Sequence, residues 1–278
     1  MGKEEETALQ WHPAFFAGIQ IEFSEEKEKL RFENEHQLGT KPKQIDVLII
    51  KKESKTELQK NIGKIFRRYN IIEYKSPKDY LSIDDFYQVY GYACFFKADA
   101  EQVDEIKANE ITISFVCKRK PRKLIKHLKE ERGFRLKGKN GIYIIYGDFF
   151  PMQLILTSKL SDTENFWLRY LTDDLQSVEE ANKILDKYEG HQKENLHKSV
   201  MNIIVNANRE VFKEAKEMCE ALRELMKEEL EEREKIGERN VKIQLIQTKL
   251  SKGKTVEAIA EDLEDSVENI LKLIKEMD

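Results

Sequence analysis

Two short apolar runs, at 44–52 and 69–75, have the pattern of buried β-strands. β-branched and aliphatic residues dominate both runs, and turn-forming residues bound them. An alternating stretch at 30–38 precedes the first run across a turn that contains glycine and proline, which predicts a hairpin over 30–52. Apolar residues at helical spacing predict a helix over 7–29 before that hairpin.

The same patterns continue after the second strand. Ser82, followed three residues later by Asp85, predicts an N-cap and a helix that runs to about Lys97. The predicted elements that follow are a strand at 111–117, a basic helix at 121–133, and short strands at 134–136, 142–146 and 152–156. The order is αβββαβ followed by αβββ, which predicts an α/β fold with a mixed sheet flanked by helices.

After Ser158 the pattern is helical throughout. We therefore predict a core at 1–158, connecting helices at 159–190, a long coiled-coil-like segment at 191–240 and a helical tail at 241–278. The tail resembles a helix-turn-helix in its apolar pattern, but acids at its second helix would repel a phosphate backbone. Self-association or partner docking through the C-terminal helices is the favoured interpretation.

Composition narrows the class of protein. With 278 residues, of which 40% are hydrophobic, the chain can form a core of about 150 residues and an appendage. Three separated cysteines argue against a disulfide framework, and the five histidines have no evident ligand spacing, so we expect none of them to bind metal. The acidic N-terminus and the lack of an apolar run of about 20 residues predict a cytoplasmic protein without a membrane segment.

Charged residues inside the two apolar runs are the candidate chemistry. Asp46 lies in the first run, and Glu73 and Lys75 lie in the second. An unpaired charge in a buried strand costs several kcal/mol, so these groups need each other or a cation. Glu73 and Lys75 are two residues apart and therefore share one face of a strand, whereas the side chain of Tyr74 points away and leaves its carbonyl oxygen as a possible ligand.

Two carboxylates and a lysine suit metal-assisted cleavage of a phosphodiester. Asp46 and Glu73 could share one Mg²⁺, a cation that prefers oxygen ligands, and Lys75 could orient the attacking water or stabilise developing charge. The alternative is a structural acid–lysine pair inside a mixed sheet.

Three further residues could complete such a site. Gln88 and Tyr92 are four apart on the predicted helix and could hold a lysine, a water or a phosphate, although the aromatic residues of that helix could simply pack on the sheet. Glu22 could be a third ligand, or one of several solvated acids in its segment.

Basic residues far outnumber acidic ones between residues 118 and 139. The candidate nucleic-acid-binding residues are Lys118, Arg119, Lys120, Arg122, Lys123 and Lys126. Lysine and arginine neutralise phosphates and supply affinity that is independent of base sequence. The alternative is an ordinary solvated face.

The order Glu22, Asp46, Glu73-Tyr74-Lys75 and Gln88-x-x-x-Tyr92 resembles the PD-(D/E)XK nuclease superfamily over roughly residues 7–157. Within it, the segments Trp11–Phe16, Ile45–Ile50 and Ile72–Pro77 are similar to bacterial proteins described as PD-(D/E)XK nuclease family or transposase proteins, close to the recombination-promoting nucleases. Ile45 stands where the name-giving motif has proline.

The resemblance implies a restriction-endonuclease-like core and a Mg²⁺-dependent endonuclease, with Mn²⁺ able to substitute. Asp46 and Glu73 would be metal ligands, Lys75 the catalytic lysine and Glu22 an accessory acid. DNA is the implied substrate, and the sequence does not distinguish it from RNA. The alternative is a catalytically inactive nuclease-fold module that binds nucleic acid or a protein partner.

Overall fold

The protein folds around one mixed β-sheet. The computed structural model describes residues 9–33, 47–53, 57–99, 102, 104–214, 242–250, 254–263 and 265–275. The strands are β1 (Leu30–Glu33), β2 (Val47–Lys52), β3 (Tyr69–Tyr74), β4 (Ile111–Cys117), β5 (Arg135–Lys139), β6 (Ile142–Tyr146) and β7 (Met152–Leu156). They form a seven-stranded sheet in the order β1-β2-β3-β4-β7-β6-β5, which confirms the predicted α/β class.

Strand direction changes at the centre of the sheet. β1, β2 and β3 pair antiparallel, so the predicted hairpin is confirmed, whereas β3, β4 and β7 pair parallel. Residues of β3 and β4 are buried throughout, as expected for strands that helices cover on both faces. β5 and β6 are joined by Asn140-Gly141, and both residues have positive φ, as a tight two-residue hairpin turn requires.

The helices of the first unit are α1 (Trp11–Glu22), α2 (Ile83–Ala98), α3 (Arg122–Glu130), α4 (Phe166–Tyr170), α5 (Val178–Tyr188), α6 (Asn195–Ala207) and α7 (Arg209–Glu214). Helices α2 and α3 pack on the face of β3 that carries Ile71, in one apolar cluster. Tyr74 points to the opposite face, where its ring stacks on Phe15 of α1 with centroids 4.2 Å apart. Helices α4 and α6 pack against α1 around Gly18.

The chain divides into two compact units, residues 1–217 and 218–278. Residues 159–217 thus belong to the same compact unit as the sheet. The physical reason is that the apolar side of α6 is buried against α1.

The second unit contains three described helices: α8 (242–250), α9 (Val256–Asp262) and α10 (Val267–Lys275). They share a small apolar cluster of Ile246, Ile259 and Ile270. Asp262 pairs with Lys249 and Lys254, and Asp265 pairs with Lys242, so these two acids near the α9–α10 turn have lysine partners within the unit. About half of the predicted coiled-coil-like segment, residues 215–240, lies outside the described residues, and self-association stays a prediction. Within the described part of the chain, no helix combines the length and apolarity needed to cross a membrane.

The helix predicted over 7–29 is too long. Helix α1 ends at Glu22, and a short 3₁₀-helix follows at Ser24–Lys29. Phe23 is buried against Phe66, and the Glu26 carboxylate accepts hydrogen bonds from the backbone N–H groups of Gln59 (3.1 Å) and Lys60 (3.0 Å). These tertiary contacts tighten the chain after α1, and Glu26 is a buried acid rather than a solvated one.

The environment of Glu26 makes stability depend on pH. Burial opposes its charge, but hydrogen bonds from Lys60, Gln59 and Lys29 lower its pKa below the ordinary 4.5. The unfolded chain then binds this proton more tightly, so the stabilisation is present above pH 4.5 and is lost as pH falls through the lower folded pKa. In urea denaturation, the stability advantage of wild type over Glu26→Gln should shrink as pH falls. Exposed Glu25→Gln should give no comparable change, and a pH-independent Glu26→Gln effect would contradict this account.

Asn70 joins three parts of the sheet interior. Its amide donates to the carbonyl oxygens of Ile50 and Arg67, both at 2.8 Å, and its oxygen accepts from the Thr112 hydroxyl at 2.7 Å. The side chain is fully buried. A loss of this amide would therefore leave several buried polar groups without partners.

We expect Asn70→Ala to lower the free energy of unfolding by about 3 kcal/mol, because buried unsatisfied groups each cost about 1–3 kcal/mol. Urea denaturation followed by circular dichroism measures it. Asn195→Ala, at an exposed helix position, is the matched control and should change stability by less than about 0.5 kcal/mol.

Candidate functional site

Glu73 and Lys75 meet at the carboxyl end of β3, on one face as their spacing predicts. The Lys75 ammonium lies 2.9 Å from the Glu73 carboxylate and 2.9 Å from the carboxylate of Asp85. Lys75 therefore joins the end of β3 to the start of α2. We call Glu73, Lys75 and Asp85 the acid–lysine site.

Asp85 is held in place by the capping box predicted from the sequence. The Ser82 hydroxyl accepts from the Asp85 N–H at 3.1 Å, and the Asp85 carboxylate accepts from the Ser82 N–H at 2.7 Å. Burial opposes the Asp85 charge, yet the Ser82 hydrogen bonds and the Lys75 ammonium lower its pKa below 3.8. Asp85 is thus an ionised, fixed partner for Lys75.

For Glu73, unlike Asp85, the effect of burial on the pKa is larger than the effect of its charged partners. Only 7% of the residue is exposed, and this burial, together with the Asp85 charge, raises its pKa above 4.5, although Lys75 and His12 act in the other direction. Burial also opposes the charge of Lys75, but its two carboxylates raise its pKa above 10.5. With all three groups ionised, the site carries one negative charge that a further cation would neutralise.

The side chain of Tyr74 lies on the opposite face of β3 from Glu73 and Lys75. Its ring packs between Phe15 and the edge of His12, and its backbone lies in the β3–β4 ladder opposite Val116. Its hydroxyl is buried without a hydrogen-bond partner among the described residues. Burial first, and then the nearby Asp173 and Asp79, raise the pKa of this hydroxyl. The side chain thus points away from Glu73, as predicted.

Gln88 and Tyr92 continue along the side of α2 that Asp85 begins, at the i, i+3, i+7 spacing of one helix face. Gln88 is exposed to solvent one turn beyond Asp85. Tyr92 is only 1% exposed and packs in the apolar cluster beneath the sheet. The contact from α2 to Lys75 is therefore made by Asp85.

Asp46 lies outside the described residues. Its sequence neighbour Val47 begins β2 and is the register partner of Glu73.

Glu22 is engaged away from the acid–lysine site. Its carboxylate pairs with Lys60 and accepts from the backbone N–H groups of Trp167 (2.8 Å) and Leu168 (3.3 Å) at the start of α4. His12, which lies near Glu73, is ten residues earlier on α1, or about 15 Å along the helix axis. Glu22 therefore connects α1 to α4 and to Lys60, whereas Glu73 has a separate set of partners.

We expect Glu22→Ala to lower the free energy of unfolding by about 3 kcal/mol without any added metal. Removing one member of a buried pair leaves the other charge uncompensated, and partial exposure of Lys60 keeps the effect at the low end of the usual range. Urea denaturation in the presence of a chelator measures it. Glu25→Ala, an exposed acid on the following turn, should have little effect.

A Glu22→Ala protein that is as stable as wild type in chelator would contradict this structural role. That result would instead favour a role of Glu22 as a metal ligand. In chelator such a ligand has no metal to bind, so its removal would not destabilise the fold.

The predicted basic residues fall into two groups. Lys118 is buried and pairs with Asp173 and Asp174, both at 2.6 Å, so it is already neutralised within the protein. The other five are exposed and follow β4 into α3: Arg119, Lys120, Arg122, Lys123 and Lys126. We call these five the basic surface.

The basic surface lies close to the loop that leaves the acid–lysine site. The Lys123 N–H donates to the hydroxyl of Tyr80 at 3.1 Å, and Tyr80 follows Lys75 by five residues. β3 and β4 are parallel, so their carboxyl ends lie at the same edge of the sheet. The tertiary structure thus brings a cationic surface and the acid–lysine site to one edge.

Sequence reasoning missed two members of this region and one cluster elsewhere. Asp85 was interpreted only as a helix cap, and its spacing from Ser82 carries no sign of the contact with Lys75. His12 carried no motif. In the structure the ring nitrogens of His191 and His197 cluster with the Glu194 carboxylate, an arrangement that their spacing in the sequence does not indicate.

Comparisons of the chain with family models, with curated proteins and with solved structures gave no match.

Proposed function

We propose that the protein is a Mg²⁺-dependent endonuclease that hydrolyses DNA. The observation that supports this most directly is the acid–lysine site, in which Glu73 and Lys75 share one face at the carboxyl end of a buried central strand. Glu73 is a buried carboxylate, and the acid–lysine site has a net negative charge when its three groups are ionised. Such a site is suited to a divalent cation.

The order of elements supports the same proposal. A helix, an antiparallel trio of strands, a second helix and a parallel fourth strand follow one another as α1-β1-β2-β3-α2-β4. This is the αβββαβ order that the resemblance to PD-(D/E)XK nucleases implies. In that arrangement the reactive acid and lysine belong to the third strand; here Glu73 lies in β3, and Lys75 directly follows its last residue.

Glu73 would hold the metal together with Asp46. When bound, Mg²⁺ would polarise the phosphodiester and lower the pKa of a coordinated water. Both Glu73 and the proposed partner Asp46 supply the oxygen ligands that this ion prefers. Glu22 is not part of this proposed set, because its carboxylate is engaged by Lys60 and α4.

Lys75 would act as a cation rather than as a base. Its pKa is raised by Glu73 and Asp85, so the ammonium form is favoured and can donate hydrogen bonds to a phosphate oxygen or an attacking water. Asp85 would be a positioning residue. It would keep the Lys75 ammonium at the site when the Glu73 carboxylate binds the metal ion. The capping box makes this possible because it fixes the carboxylate.

The basic surface would hold the nucleic acid. Its five exposed side chains lie at the same sheet edge as Glu73, and phosphate neutralisation by such residues gives affinity without base preference. Lys118 is excluded from this role by its pairing with Asp173 and Asp174.

Cleavage assays test the proposal. Wild-type protein should cut DNA in Mg²⁺ or Mn²⁺, and Asp46→Ala, Glu73→Gln and Lys75→Ala should each lower the rate by at least about 100-fold, as expected for loss of a transition-state contact. Asp85→Asn should have a smaller effect. Lys183→Ala removes a lysine from an exposed pair with Asp162 and is the matched control, expected to cut normally.

The variants should be compared at equal folded fraction, measured by circular dichroism. A wild-type protein that cuts neither DNA nor RNA with either metal would contradict the proposal. Cleavage of RNA alone would support metal-dependent phosphodiester hydrolysis but contradict DNA as the substrate. Equal loss in Lys183→Ala would show that the effects do not report on the site.

A further inference from the structure

A second cluster of potential ligands lies at the junction of α5 and α6, in residues of the first unit that the proposed nuclease chemistry does not use. The Nδ1 atoms of His191 and His197 each lie 2.8 Å from a different oxygen of the Glu194 carboxylate. The two imidazole rings stack with centroids 4.2 Å apart. Two nitrogens and one carboxylate thus converge within 4.8 Å of one another.

The three residues of the cluster follow one another at intervals of three in the sequence, and the backbone conformation brings their side chains together. After α5, the His191 N–H donates to the Tyr188 carbonyl oxygen at 2.9 Å, and the Glu194 N–H donates to the His191 carbonyl oxygen at 3.0 Å. Glu194 is the N-cap residue of α6, and His197 lies in the first turn of that helix. A tight turn followed by a helical turn therefore brings the three side chains together.

His197 is the informative member. It is 93% buried, and its Nδ1 atom has no hydrogen-bond partner among the described residues, although it is near Glu194. The 2.8 Å separation from the Glu194 carboxylate is that of an ion pair, so Glu194 partly offsets the burial of this nitrogen. A bound cation would satisfy the nitrogen more fully, because a buried polar atom without a well-directed partner costs free energy.

The donor set selects the class of ligand. Two imidazole nitrogens and one carboxylate oxygen suit Zn²⁺ and its borderline neighbours, whereas Mg²⁺ prefers oxygen alone. Tetrahedral bonds of about 2.0–2.1 Å separate ligand atoms by about 3.3 Å, so the carboxylate would need to withdraw by roughly 0.5 Å. The Glu194 side chain is half exposed and can do so, and the exposed side would accept a water as fourth ligand.

We propose that His191, Glu194 and His197 bind one Zn²⁺ ion, which fastens the turn between α5 and α6. The ion would also secure the layer that contains α1 and α4. The ring of His197 contacts the edge of Trp167 with centroids 5.1 Å apart, and the Trp167 N–H donates to Glu22 of α1. The zinc site is thus connected to the packing of α1, and it is separate from the carboxylates assigned to Mg²⁺.

Titration of the chelator-treated full chain with ZnCl₂ in a calorimeter tests the proposal. Wild type should bind one Zn²⁺ at these residues, and bound Zn²⁺ should raise the melting temperature because it binds only the folded state. Glu194→Gln and His191→Ala should each weaken binding by at least about 100-fold, more than the roughly 10- to 100-fold that loss of an outer-shell partner causes. Both change half-exposed side chains, so they should fold even if His197→Ala does not.

Two controls separate this site from others. His127→Ala removes a histidine from a His–Glu pair, 3.1 Å from Glu131, that lacks a second histidine, and Zn²⁺ binding should persist. Glu73→Gln should also bind Zn²⁺ normally, even if the nuclease proposal fails. Absence of Zn²⁺ binding in wild type, or binding unchanged in both Glu194→Gln and His191→Ala, would overturn the inference.

Discussion

The charge at the end of β3 is the constraint around which the centre of the molecule is arranged. β3 is buried on both faces, and its last residues include an acid that helices cover. Desolvation makes that carboxylate unfavourable as an ion, so Glu73 is tolerable only beside a cation. Lys75 supplies it from the same strand face, and Asp85 then holds Lys75 from α2. A strand end and a helix start are thereby joined by charge as well as by apolar packing.

Acids near the other end of α1 are satisfied by backbone groups. Glu22 accepts from two N–H groups at the start of α4, where the helix dipole favours a negative charge, and Glu26 accepts from two N–H groups near Lys60. Each carboxylate connects segments that are distant in sequence. These two acids therefore connect α1 and the turn after it to α4 and to the segment around Lys60, whereas the three groups of the acid–lysine site sum to one negative charge when all are ionised.

Much of the fold was predictable from local pattern. β6 and β7 have the predicted boundaries, the hairpin of β1 and β2 forms, and the Ser82–Asp85 capping box is present. Each depends on contacts within a few residues, or on the short apolar runs that are typical of buried strands. The failures are non-local: the helix predicted to Lys29 ends at Glu22 because Phe23 and Glu26 are bound by the segment from Leu58 to Phe66.

The sequence by itself determined the α/β class, the strand that carries Glu73 and Lys75, and their common face. These follow from apolar periodicity and from the two-residue repeat of a strand, which are properties of the chain alone. Only the tertiary structure decided which groups these charges meet: Asp85 for Lys75, Asp173 and Asp174 for Lys118, and Lys60 for Glu22. The physical reason is that the identity of a charge partner depends on which surfaces pack together, and no local spacing encodes that choice.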